Sequence, residues 1–204
     1  MAYSDFTLEN VIDQFEIVLE SGILFDSIGL IEPTSWLRET LIRGEKTALA
    51  SSTEKARSEF LVAPILLEVQ EQTIPLISIY SGKTLTADFQ RGLNGECDFM
   101  LGMGPTLPII QSPIFSLVEA KRQDLQLGLG QCAAQMLGAQ IFNQNHHQNI
   151  SKIYGCVTTG EAWQFLRLQD NHLTIESRIF YFNELEKILG ILQMIVMESL
   201  APES

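Results

Sequence analysis

Apolar positions recur at helical spacing in the first part of the chain. Leu8, Val11, Ile12, Phe15, Val18 and Leu19 share one face of a helix predicted over 7–20. Pro33 breaks the chain, and a second helix is expected over about 35–49. Ser51-Ser52-Thr53-Glu54 has the spacing of a capping box. It opens a helix through Phe60, Leu61, Ile65, Leu66 and Val69, with Glu59 inside it and Pro64 predicting a kink.

The period then changes from helical to alternating. Segments 76–81 and 84–89 read as a hairpin or a pair of short strands. Between them, Ser81-Gly82-Lys83-Thr84 resembles the tail of a phosphate-binding loop. Ile77 stands where that loop needs its first glycine, so a hairpin turn is the expectation. Strands follow at 95–101 and 114–121, punctuated by Gly102-Met103-Gly104-Pro105. A helix rich in small residues covers 128–143, where Gly130, Ala133, Ala134 and Gly138 allow close packing on a sheet. Further strands are expected at 152–158, 163–168 and 173–181, the last two joined by Asp170 and Asn171. Asn183 then caps a final helix to about Leu200.

This order predicts an α/β domain with a central mixed β-sheet flanked by helices. The 204 residues suit a single domain, 1–204. It divides into an N-terminal helical segment (1–50), a core (51–182) and a C-terminal apolar helix (183–204). In that last helix Leu185, Ile188, Leu189, Ile191, Leu192, Met194, Ile195, Val196 and Met197 cover more than one face. Either it is sandwiched inside the domain or it packs against another copy, and we expect a homodimer.

Composition narrows the class. Hydrophobic residues make up 46% and charged residues 19%, a globular balance. No stretch approaches the roughly 20 apolar residues of a membrane span, and residues 1–10 lack the basic start and apolar run of a secretory signal. Cys97, Cys132 and Cys156 are far apart, odd in number and without zinc spacing, so reduced thiols in a cytoplasmic protein are expected. Asn149-Ile150-Ser151 matches a glycosylation sequon but carries no weight without a secretory signal.

The net charge of −12 argues against a protein that coats nucleic acid. Its distribution softens that objection. Residues 1–50 hold 9 acids and 3 bases, residues 51–170 hold 11 and 8, and residues 171–204 hold 5 and 2. The surplus acid is thus concentrated in the flanks.

Several residues in the middle form a chemically specific set. Glu119 and Lys121 are two apart on a strand, so both side chains leave the same face, roughly 7 Å apart along the chain. Ala120 points the other way and leaves its carbonyl as a ligand. Asp98 is expected on the neighbouring strand. Glu59 lies in a helix, and Gln131 follows Lys121 at the start of the next, with Gln135 on the same helix face. Clustered carboxylates repel one another unless a cation joins them. Mg²⁺ takes hard oxygen ligands, polarises phosphate and lowers the pKa of bound water. The set therefore suits phosphodiester hydrolysis.

An acid in a helix, then Asp98, then Glu119-Ala120-Lys121, then Gln131 on the next helix resembles the PD-(D/E)xK nuclease superfamily. The resemblance covers about 59–158. It implies a restriction-endonuclease-like core, with Asp98, Glu119 and Lys121 as the signature. Glu59 matches the helix acid of many members, and Gln131 the helix glutamine of the exonuclease-like and restriction-helicase branches. Residues 157–165, Val-Thr-Thr-Gly-Glu-Ala-Trp-Gln-Phe, resemble the strand–turn–strand after the core in type I restriction subunit N-terminal nuclease domains. Cys97 stands where the family name has proline, a proline that many members lack.

The expectation is a nuclease, endo- or exonucleolytic, dependent on Mg²⁺ or Mn²⁺ and acting on nucleic acid, DNA first. Asp98, Glu119, Ala120 and Glu59 would hold the metal, and Lys121 would act on the nucleophile. Lys83, Arg91 and Arg122, with Lys55 and Arg57, would contact phosphates. The alternative is a non-catalytic subunit of a larger complex that keeps the nuclease fold. A hydrolase acting on nucleotides is a third possibility, disfavoured by the absence of a glycine-rich phosphate loop. His146-His147 reads as a solvated helix end, and Trp36 and Trp163 as core or interface residues.

Overall fold

The computed structural model describes residues 1–73, 77–148 and 150–201. Helix α1 (Leu8–Phe15) opens on Thr7, whose hydroxyl accepts from the Asn10 N–H at 3.2 Å. It ends sooner than its apolar spacing suggests. Glu16 adopts a left-handed conformation (φ 53°), and Val18–Gly22 forms an edge strand, β1. Val18 and Leu19 fit the helical period, yet here tertiary pairing overrides a weak local preference.

Helix α2 (Ser35–Ser51) is capped by Thr34. The next helix, α3 (Glu54–Arg57), opens on Thr53 rather than Ser51, the Thr53 hydroxyl accepting from the Ala56 N–H at 3.1 Å. A π turn (Ser58–Val62) leads into α4 (Ala63–Thr73). Pro64 has no N–H for the carbonyl four residues back, and its ring crowds that carbonyl. The wider π turn, closed by the Ala63 N–H on the Ser58 carbonyl, accommodates the defect just before the proline.

The sheet comprises β1, β2 (Ile77–Asp88), β3 (Leu93–Met103), β4 (Ile114–Ala120), β5 (Lys152–Thr158), β6 (Ala162–Gln169), β7 (His172–Glu176) and β8 (Phe180–Tyr181). Its order is β1-β7-β6-β5-β4-β3-β2, with β8 also on β6. It is mixed: β1 with β7 and β4 with β5 are parallel, and the other pairs are antiparallel. Two expectations change here. β2 runs unbroken through Ser81–Thr84, where Gly82 takes a positive φ (60°), and the reversal comes at Phe89–Gly92 instead. β3 likewise continues through Gly102 and Met103. Residue 76, where the first strand was expected to start, and Asn149 of the sequon lie outside the described residues.

Helix α5 (Gln126–Asn145) carries the chain from β4 to the parallel β5. With α1 it covers one face of the sheet, where Val11, Leu129, Ala133 and Met136 pack on Leu117, Ile153 and Val157. α2, α4 and α6 (Leu185–Leu200) cover the other, on Phe99, Val118, Cys156 and Phe165. β4 lies between both layers and all seven of its residues are buried. A short 3₁₀ turn (Phe182–Glu184) precedes α6, so Asn183 is inside that turn and not the cap. The apolar faces of α6 are taken up inside the domain: Ile188, Leu189, Ile191, Leu192, Ile195 and Val196 are all buried. No helix of the described residues is long and apolar enough to cross a membrane.

Candidate metal centre

The β3–β4 ladder pairs Leu101 with Ser116, Met100 with Leu117 and Phe99 with Val118. One step further, the same register sets Asp98 opposite Glu119. There the side chain takes over from the ladder: the Ala120 N–H donates to Asp98 Oδ2 at 2.8 Å. On the other side the Lys121 N–H donates to the Thr158 carbonyl at 2.7 Å, continuing the pairing with β5. The backbone through Glu119-Ala120-Lys121 is therefore held from both neighbours.

Glu119 is only 1% exposed. Lys121 Nζ donates to its Oε1 at 2.8 Å, and Gln135 Nε2 donates to its Oε2 at 2.8 Å. Lys121 Nζ also donates to Gln131 Oε1 at 3.0 Å. The i, i+4 spacing thus sets two amides of α5 on the site, Gln131 at the lysine and Gln135 at the glutamate.

A third acid completes the group. Carboxylate oxygens of Glu54, Asp98 and Glu119 lie within 4.8 Å of one another, and no other such trio occurs among the described residues. Glu54 is the first residue of α3, and the Thr53 cap fixes that helix end beside the strand ends. Its sequence signal was confined to the capping pattern. The helix acid singled out from the sequence, Glu59, is elsewhere. Its side chain is 55% exposed and pairs with Lys55 at 3.8 Å, and it borders a surface hollow with Arg43 and Phe60. Five residues carry it roughly 140° around a regular helix from Glu54, and the π turn intervenes.

The charges follow from this packing. Burial pushes the Glu119 carboxyl up to about 7, and the neighbouring Asp98 charge adds to the effect. Asp98 is also raised, by burial first, against the opposing Ala120 hydrogen bond. For Lys121 burial works against the ammonium, but the Glu119 charge and hydrogen bond outweigh it and raise the pKa. Three carboxylates in a small volume, two of them with a raised pKa, could hold a divalent cation, which would relieve their repulsion.

The basic residues expected to meet phosphate are dispersed. Lys83 Nζ donates to the Pro108 carbonyl at 3.2 Å, and Arg122 Nη2 lies 3.5 Å from Ser52 Oγ. Arg91 sits in the β2–β3 turn with its guanidinium over the Phe15 ring, 4.6 Å from the centroid. Lys55 is exposed beside Glu59. Arg57 is buried and committed to the Thr159 carbonyl at 2.9 Å and to Glu161 at 2.6 Å. It is a structural residue rather than a phosphate contact. His146 and His147 end α5 exposed, Trp163 is fully buried, and Trp36 is 47% exposed. No protein-family model matches the chain, and no curated protein matches it.

Proposed function

We propose that this chain is a divalent-metal-dependent nuclease, with DNA as its first substrate. The observation that carries the reading is the approach of Glu54, Asp98 and Glu119 within 4.8 Å, with Lys121 bonded to Glu119. The antiparallel β3–β4 pair and the α5 crossover to a parallel β5 support the resemblance to the PD-(D/E)xK, restriction-endonuclease-like core. Asp98, Glu119 and Glu54 would hold Mg²⁺ or Mn²⁺, with the Ala120 carbonyl as a further oxygen ligand. The bound ion would polarise the phosphate and make its water more acidic. Lys121 holds its proton at Nζ, offsets phosphate charge and orients the attacking water. Gln131 fixes that ammonium through its carbonyl oxygen. Free, buried thiols agree with a cytoplasmic setting.

The test is incubation of wild type and Lys121→Ala with supercoiled, linear and single-stranded DNA, in Mg²⁺, Mn²⁺ or EDTA. Cutting in Mg²⁺ or Mn²⁺, none in EDTA, and a loss of roughly 100-fold or more in Lys121→Ala are expected. Glu54→Gln should impair metal-dependent cutting and Glu59→Gln should not. No cutting by folded wild type would shift the case to a subunit that keeps the fold without the chemistry.

A further inference from the structure

Helix α5 buries a complete amide at Gln135, which has no solvent exposure. Ala133, Ala134, Met136 and Leu137 beside it in the helix are buried and apolar. Gln135 Nε2 is bonded to Glu119, but Oε1 is buried without a partner among the described residues. A buried acceptor left unpaired costs stability, and methionine would fill the same volume without that cost. Packing alone gives no reason for an amide here.

Its position gives one. A carboxylate carries about four lone-pair sites. Lys121 occupies one on Glu119 Oε1 and Gln135 one on Oε2, so the carboxylate is held at both ends while other lone pairs stay free. A divalent ion such as Mg²⁺ also keeps several of its waters when protein-bound, and these need acceptors. The unpaired Gln135 Oε1 lies on the same amide that grips Glu119.

We propose that Gln135 is a positioning residue that sets the affinity of the site for a divalent cation: Nε2 fixes Glu119, and Oε1 takes a hydrogen bond from a water the cation carries. This rests on the metal reading of the site. Groups that orient metal ligands in this way are typically worth roughly 10- to 100-fold in metal affinity.

The experiment is calorimetric titration of the full chain with Mn²⁺ at one fixed pH, alongside metal-free melting. It compares wild type with Gln135→Met, which keeps the volume, and Gln135→Asn, which keeps an amide too short to reach Glu119. Mn²⁺ binding weakened by roughly 10- to 100-fold in each variant that melts cooperatively is the expected result. A merely structural Gln135 would lower the metal-free melting temperature and leave the Mn²⁺ Kd at the wild-type value, which overturns the inference alone. Wild type that takes up no Mn²⁺ overturns the metal reading itself, and this inference with it.

Discussion

Glu119 shows how a single side chain links stability to chemistry. Its folded carboxyl titrates at about 7, above the ordinary 4.5, because it is buried beside Asp98. The folded protein therefore binds a proton there that the unfolded chain has released. The resulting contribution to stability is complete below about pH 4.5 and is lost as pH rises through about 7, an effect of roughly 3 kcal/mol. Metal-free wild type should lose stability between pH 5 and 8 in urea denaturation, and Glu119→Gln should flatten much of that slope. On the metal reading proposed above, Mn²⁺ should raise the melting temperature more at pH 8 than at pH 6, since a cation would bind the ionised carboxylate. A metal-free stability that rises over this range would contradict the burial argument. That Glu119 and Lys121 come together was legible in the sequence because strand alternation fixes which side chains share a face, and the expected neighbouring strand brought Asp98 beside them. Glu54 was hidden, because choosing between it and Glu59 requires the helix start and the turn geometry, and a capping pattern with one proline gives neither.

At the scale of elements, the small residues of α5 were readable as a sign of close packing, but not what each one meets. A Cβ on Gly130 would lie 2.4 Å from the Thr7 carbonyl carbon and 2.5 Å from the Phe6 oxygen. One on Gly128 would lie 2.5 Å from Val157 Cγ1 and 3.1 Å from Lys121 Cγ. Alanine favours a helix over glycine by about 1 kcal/mol, yet overpacking costs typically about 1–3 kcal/mol. Backbone atoms at Gly130 cannot swing away, so Gly130→Ala should be net destabilising in urea denaturation with the Mn²⁺ Kd unchanged. Gly128→Ala should instead weaken Mn²⁺ binding, because the stiff Val157 and the shifted Lys121 transmit the clash to Glu119. Equal effects of the two on Mn²⁺ affinity would count against this division of labour. The split of α1 from β1 was illegible for a related reason. Val18 and Leu19 satisfy a helical period, and their actual partners, His172 and Leu173, are more than 150 residues away in the chain.

Across the whole molecule, the apolar breadth of α6 concerns assembly. A helix with more than one apolar face must be covered on more than one side, and this chain supplies both covers. The sheet and α4 pack on one side. On another, the segment before α2 crosses so closely that a Cβ on Gly190 would fall 1.8 Å from the Gly29 oxygen, while the Ile31 N–H donates to the Glu186 carbonyl at 3.1 Å. Among the large apolar residues of α6 only Met197 is more than half exposed, at 57%. Burial within one chain thus accounts for most of the apolar breadth of α6, and two copies carrying −12 each would also repel one another. Ile191→Ala opens a cavity in the core and should cost about 2–5 kcal/mol in urea denaturation. That loss should be the same at dilute and concentrated protein, with sedimentation unchanged. If wild-type stability instead climbed with protein concentration and Ile191→Ala abolished the climb, α6 would belong to an interface between copies and its packing within the domain would be secondary.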